Sequence, residues 1–178
     1  VIQVGAIIAV LGIFWKRFLS MASGVVGRDE DGRRTLISLL VAFVPAGVIG
    51  KVFGDAVKEH LLSPTPIAIT WIVGGIVILV FVSQQSRLVA RIDSVADIGA
   101  RNAAIIGVAQ TLALIPGTSR SFVTILAAML LGCSLATAVE FSFLLGFVTL
   151  SAATVFELLQ NGDTLVDTFG IASPLIGI

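Results

Sequence analysis

Charge is the scarcest thing in this chain. Only 12% of its 178 residues are Asp, Glu, Lys or Arg, where a soluble domain carries about 25%. Hydrophobic residues make up 57%, and the mean hydropathy is +1.08. A soluble globule of this length must cover its surface with polar groups, and too few exist here. A disordered chain and a collagen-like rod are excluded by the same composition. Cysteine is nearly absent as well. Cys133 stands alone, so no internal disulfide can form, and there is no Cys/His cluster of metal-binding spacing. A basic excess is missing too: eleven Lys and Arg balance eleven Asp and Glu. Nothing is left over to neutralise the phosphates of a duplex, so nucleic acid is excluded as a partner. A polytopic α-helical membrane protein remains, forming one membrane domain over residues 1–178.

The few charges fall in groups. Uncharged stretches cover Val1–Trp15, Thr35–Gly50, Leu61–Ser86, Asn102–Ser119, Ser121–Val139 and Phe141–Phe156. A crossing helix needs about 20 largely apolar residues, and several stretches reach that with a flanking residue admitted. Lipid offers the backbone no hydrogen bonds, so these segments are expected to be helical. Runs such as Ile67–Val82 do not alternate, which sets a transmembrane β-barrel aside. Val1 is not a methionine, the apolar run starts at once, and Ile171–Ile178 reads as the opening of a further helix. The chain therefore reads as the middle piece of a longer protein.

Loop charges give an orientation. Lys16–Arg34 holds five basic residues and Arg87–Arg101 three. Lys51–His60 holds two Lys offset by two acids, and Glu157–Asp167 holds no base. Basic loops favour the cytoplasmic side, which places the first and third loops inside and the others outside. Between the last two, Asn102–Ile115 is short for a crossing and ends in Pro116-Gly117, a helix-breaking pair. Thr118, Ser119, Arg120, Ser121 and Thr124 follow; Leu126–Leu131 resumes the apolar run and Gly132 can end it. The simplest path is a re-entrant hairpin with a polar turn at membrane depth.

Irregular backbone at that depth is tolerated where it lines a cavity or lies within protein. An intramembrane arginine marks a functional site. Arg120 offers a planar fork of donors suited to phosphate oxygens. The neighbouring hydroxyls add donors, and the helix that starts after the turn adds free amides and a positive dipole end. Each element donates to an anion, which points to a lipid phosphate. The competing reading has Arg120 snorkelling to headgroups from a plain helix–helix turn. Glu140, the one acid between Asn102 and Phe156, either pairs with Arg120 near the site or orients a helix near the surface. His60, Asp29-Glu30-Asp31, Asp93 and Asp97 read as loop or cap residues. Gly74-Gly75 reads as tight helix packing, and the Gly50/Gly54 spacing as chance.

Gln110-Thr-Leu-Ala-Leu-Ile-Pro-Gly-Thr-Ser-Arg-Ser121, with Thr124, closely resembles the second signature of the undecaprenyl-diphosphate phosphatases, the bacitracin-resistance type of integral membrane phosphatase. Val1–Val10 with Phe14-Trp15, Arg34 through Gly50, and Glu140-Phe-Ser-Phe-Leu-Leu145 resemble further blocks of that family in order, so the likeness covers nearly the whole chain. The resemblance implies an inverted repeat with two re-entrant hairpins. It implies hydrolysis of a polyprenyl diphosphate to the monophosphate in the bacterial inner membrane. It also implies catalytic roles for Arg120 and Ser119, and substrate contacts from Gly117, Thr118, Ser121 and Thr124; we add Glu140 to that group. Gln3 is the counterpart of Glu140 on the resemblance alone. A divalent cation, Mg²⁺ or Ca²⁺, is implied, but its glutamate ligands belong to the family's first signature, which this chain lacks. Two positions depart: Phe122-Val123 stands where the family usually has Gly-Ala. A lipid-phosphate transporter or flippase competes with the phosphatase, since it needs the anion clamp without a nucleophile. A structural membrane subunit is the third reading. Oligomeric state stays open, a homo-oligomer included.

Overall fold

The computed structural model describes residues 2–85 and 89–169, with backbone alone at 2–4, 55–56, 58–60 and 157–169. Seven α-helices follow in order: α1 Ile2–Ile13, α2 Trp15–Val25, α3 Glu30–Leu61, α4 Pro64–Gln84, α5 Gly99–Gln110, α6 Arg120–Leu130 and α7 Leu135–Phe169. Among the described residues, three segments are long and apolar enough to cross a membrane: Glu30–Gly54, Pro64–Gln84 and Leu135–Phe156. The pair Gly5–Ile13 and Trp15–Val25 would be a fourth if taken as one span, but it bends by 80°. The chain is a multi-pass helical membrane protein.

Several expected loops are helix. Lys16–Arg34 holds α2, a tight turn and the start of α3. Asp29 is the N-cap of α3 and not merely a solvated acid. Its carboxylate accepts from the Gly32 amide at 3.0 Å and from the Ser20 hydroxyl at 2.5 Å. Those bonds, the Gly32 amide first, hold its pKa below the usual carboxylate range. Lys51–His60 continues α3 without a break, and Glu157–Asp167 continues α7. The loop readings failed because charge does not end a helix once it has left the hydrocarbon. Only Pro, Gly or a cap does so reliably. The side chains of Gln3 and His60, and Ile171–Ile178, lie outside the described residues.

The bundle is built on small residues. In lipid, packing replaces the hydrophobic drive between helices, and small side chains let backbones approach. Ala42 and Ala46 of α3 are buried, as are Ala103 and Gly107 of α5, four residues apart on each helix. A Cβ on Gly107 would stand 2.3 Å from the Ala42 carbonyl oxygen. Nothing in the local sequence marks either pair. Gly74 and Gly75, expected to mark tight packing, face open space instead. Gly54 also faces open space, while a Cβ added at Gly50 would lie 3.5 Å from the Leu114 side chain, an ordinary contact. No residue of α4 is buried, so its glycines have nothing to pack against. The deepest side chains are Phe141, Leu144 and Leu145 of α7, Leu39 of α3, and Ile98 and Ile106 at and in α5.

The segment from 92 to 133 is re-entrant. Ile92 and Cys133 form a single parallel bridge. The amides of Arg91 and Ile92 donate to the Gly132 carbonyl at 2.8 and 3.0 Å, and the Ser134 amide donates to Ile92 at 2.9 Å. Entry and exit are thus clasped together. The start of α3 packs against the turn at Val95–Asp97, which brings both basic loops to one end of the bundle. Gly132 ends α6 as the sequence suggested. At φ +92° it lets the Gly132 and Cys133 amides turn back to the Met129 and Ala128 carbonyls at 3.0 Å each, a Schellman closure.

Cys133 sits in this clasp, 3% exposed, and burial pushes its thiol up to about 11. Ordinary thiols ionise near 8.5. At pH 8 its thiolate is therefore expected to be about 200-fold scarcer than that of a free cysteine. Alkylation followed by mass spectrometry should be slow in the folded protein and fast after denaturation. Rapid labelling of the folded protein would mean that the clasp opens.

Candidate anion site at the hairpin tip

The tip is shaped by two breakers. α5 tightens into a 3-10 turn over Thr111–Leu114, and Ile115 swings to an extended conformation ahead of Pro116. That is the backbone a residue before proline prefers. The Thr118 amide closes the turn on Ile115 at 3.1 Å. Gly117 has φ +92°, the left-handed region that favours glycine. Its Cα side is also crowded: an added Cβ would lie 3.1 Å from the Ile67 carbonyl and 3.3 Å from the Trp71 ring. Gly117 thus lets the tip turn beneath α4.

α6 begins at Arg120, with Ser119 as its N-cap. The Ser119 Oγ accepts from the Phe122 amide at 3.3 Å. That bond uses an oxygen lone pair and leaves the hydroxyl proton free. Ser119 is exposed, and Thr118, Ser121 and Arg120 are half-buried. The tip therefore presents an arginine, hydroxyls and a helix N-terminus together, as the spacing implied.

Arg120 does not pair with Glu140. Its guanidinium lies against α7 at Gly146, where an added Cβ would stand 3.1 Å from a terminal nitrogen. Gly146 is eleven residues into a 22-residue span that starts at Leu135. At about 1.5 Å per residue, that is about midway across. Among the described residues Arg120 has no ion pair. Glu140 is tied instead to Arg17 of α2, Nε to Oε1 at 2.5 Å. Of the two readings of Glu140, pairing with Arg120 is overturned by this bond, and orienting a helix agrees with it. α2 carries a base that reaches α7 one and a half turns nearer the clasp, and an intramembrane acid takes the base within reach.

Thr124 is also placed differently from expectation. It is 1% exposed and turned into the α6–α7 interface. Its hydroxyl lies 3.0 Å from the Arg120 carbonyl, 3.1 Å from that of Ser121 and 2.6 Å from the Ser142 hydroxyl. It ties the first turn of α6 to α7. A Thr four residues into a helix can return its hydroxyl to the preceding turn, which keeps it off the exposed face.

Sequence reasoning missed Arg17, Ser142 and Gly146 as parts of this region, and gave Gln110 no role of its own. Gln110 ends α5 with both amide atoms buried and without a partner among the described residues. Such a group is rare and costly. Its signal was visible: it is the polar residue of an otherwise apolar helical stretch. Ser142 carried a similar signal within Phe141-Ser-Phe143.

The donor set fits an anion and does not fit a metal ion. Among the described residues no three His, Cys, Asp or Glu come together. The nearest acid in sequence, Glu140, is already bonded to Arg17.

These features define a class: a multi-pass helical membrane protein whose re-entrant hairpin carries a cationic tip to mid-depth. The chain belongs to the family described as bacitracin resistance protein BacA, whose model matches residues 1–178. It is 43% identical to a protein of Sorangium cellulosum named undecaprenyl-diphosphatase, over 100% of this chain and 59% of that protein. It is 41% identical to one of the same name from Methylococcus capsulatus, over 96% of this chain and 63% of that protein. It is 40% identical to undecaprenyl-diphosphatase 1 of Acinetobacter baylyi, over 99% of this chain and 64% of that protein. The chain thus spans about three-fifths of the length of these curated relatives.

Proposed function

We propose that the protein carrying this chain hydrolyses undecaprenyl diphosphate, or a similar polyprenyl diphosphate, to the monophosphate and inorganic phosphate. The observation that carries this is Arg120 at mid-depth, without an ion pair among the described residues. A lone charge in a helix centre costs about 3 kcal/mol, and an anionic ligand offsets that cost where no carboxylate does. A lipid diphosphate brings its anion to the membrane and keeps its apolar tail there. The names of the relatives agree with it.

Arg120 clamps the phosphate that is transferred and neutralises charge that builds on its oxygens. Its fork can hold two oxygens at once. The Ser119 hydroxyl donates to the same group or acts on it directly. Ser121 and Thr118 donate alongside, and Gly117 lets the backbone turn closely. A divalent cation is part of the proposal, with carboxylate ligands outside this chain. The bacterial inner membrane is the proposed location, with the basic end of the bundle in the cytoplasm.

The test is phosphate release from undecaprenyl diphosphate by the full-length protein in detergent with Mg²⁺. Release is expected. Binding of the lipid without release, together with its transfer across vesicle bilayers, would overturn the phosphatase in favour of transport.

A further inference from the structure

We propose that Ser142 is a positioning residue of the anion site, acting through Thr124 on the first turn of α6. The inference rests on the reading of Arg120 as a phosphate clamp and concerns how that clamp is aimed. Ser142 is 4% exposed and Thr124 is 1% exposed. Their hydroxyl oxygens are 2.6 Å apart, one on α7 and the other on α6. Thr124 also reaches the carbonyls of Arg120 at 3.0 Å and Ser121 at 3.1 Å. Ser142 reaches the Ser121 carbonyl at 3.4 Å. Two hydroxyl protons are therefore shared among four oxygens, and two of those oxygens belong to the tip residues themselves.

The geometry does more than glue two helices. The bonds end on the peptide units of Arg120 and Ser121, so they set the rotation of α6 about its own axis just where its N-terminus meets a ligand. One turn further along α7 from Ser142 lies Gly146, against which the Arg120 guanidinium rests. Ser142 and Gly146 are four residues apart and so share one face of α7. That face gives Arg120 both its anchor, through the backbone, and its seat, through the missing side chain. An arginine has many rotamers, and fixing its base and one flank removes most of them before the ligand arrives. Alanine at 142 leaves the Thr124 hydroxyl without its partner across the interface and frees α6 to turn.

The experiment uses the full-length protein, with inorganic pyrophosphate as the binding probe and phosphate release from undecaprenyl diphosphate as the rate. Ser142→Ala is expected to weaken pyrophosphate binding about tenfold, since a misaimed fork loses one of its two charge-assisted oxygen contacts. The thermal midpoint in detergent should change little. Thr124→Val, nearly isosteric, should do the same, and the double variant should be no worse than either single one. In an Arg120→Ala background, Ser142→Ala should change binding no further. Wild-type affinity in Ser142→Ala, or an equal loss in the Arg120→Ala background, would overturn the inference. If Ser142→Ala fails to fold, Thr124→Val and Ser142→Cys carry the same comparison. Pyrophosphate binding that depends on Arg120 and Ser142, without release from the lipid, would sink the phosphatase reading and leave the positioning role standing. No pyrophosphate binding by the wild type would end both.

Discussion

Replacing Arg120 by alanine is expected to lower phosphate release by about a thousandfold while leaving the fold as stable as before. The first half follows from charge. Arginines that neutralise a phosphoryl group in flight are worth about 10³ to 10⁵ in rate. The second half follows from the pairing pattern. Most half-buried arginines hold a carboxylate, and their loss leaves that partner stranded. Arg120 has no such partner among the described residues and lies against Gly146. Its removal strands nothing, and an unpaired charge at mid-depth disappears. Arg120→Lys should recover only a small part of the rate, because an ammonium is a point charge without the fork. Release assays beside thermal melts in detergent check both halves. A variant that loses activity and stability together would show Arg120 to be a structural residue.

The second large effect concerns folding. Gly107→Ala is expected to destabilise the protein by about 3 kcal/mol, the upper part of the usual range for overpacking. Gly107→Leu should yield no folded protein. The added methyl would lie 2.3 Å from the Ala42 carbonyl oxygen and 2.8 Å from its carbon and Cα. All three are backbone atoms, so no rotamer relieves the clash and α3 must part from α5. The control is Gly74→Ala on α4, where nothing lies within 4 Å. There the change should be neutral or stabilising, since alanine favours a helix over glycine by up to about 1 kcal/mol. Equal responses at the two glycines would contradict the packing described.

Residues differ in what their neighbours in sequence can say about them. The hairpin was legible because Pro116-Gly117 interrupts an apolar run too short to cross, and because Arg120 stands alone within it. The class of ligand was legible because Arg120 and the hydroxyls are contiguous. Partners across the fold were not. Glu140 chose Arg17, 123 positions away, because a bend of 80° between α1 and α2 carries Arg17 to α7. No local pattern encodes that angle. Thr124 looked like a ligand by proximity to Arg120, yet helical rotation turned it inward to Ser142. The small-residue contact of Ala42 with Gly107 was hidden for the same reason: each half is common in membrane helices, and only their meeting is informative. Gly74-Gly75 erred in the opposite direction, since a glycine pair shows that a close approach is permitted and not that one occurs.

The bend after α1 also bears on how depth is measured. α2 departs sharply from the line of α1, carries Lys16 and Arg17 in its first turn, and buries Met21 and Gly24 on one side. Amphipathic helices with basic residues commonly rest at the headgroup level. Through Arg17 and Glu140 it is fastened to α7 six residues before Gly146, a rise of about 9 Å. With α2 at that level, the cationic tip is referenced to one leaflet alone. Thickening or thinning the opposite leaflet would then move the far ends of α3 and α7 without shifting Arg120 relative to the headgroups beside α2.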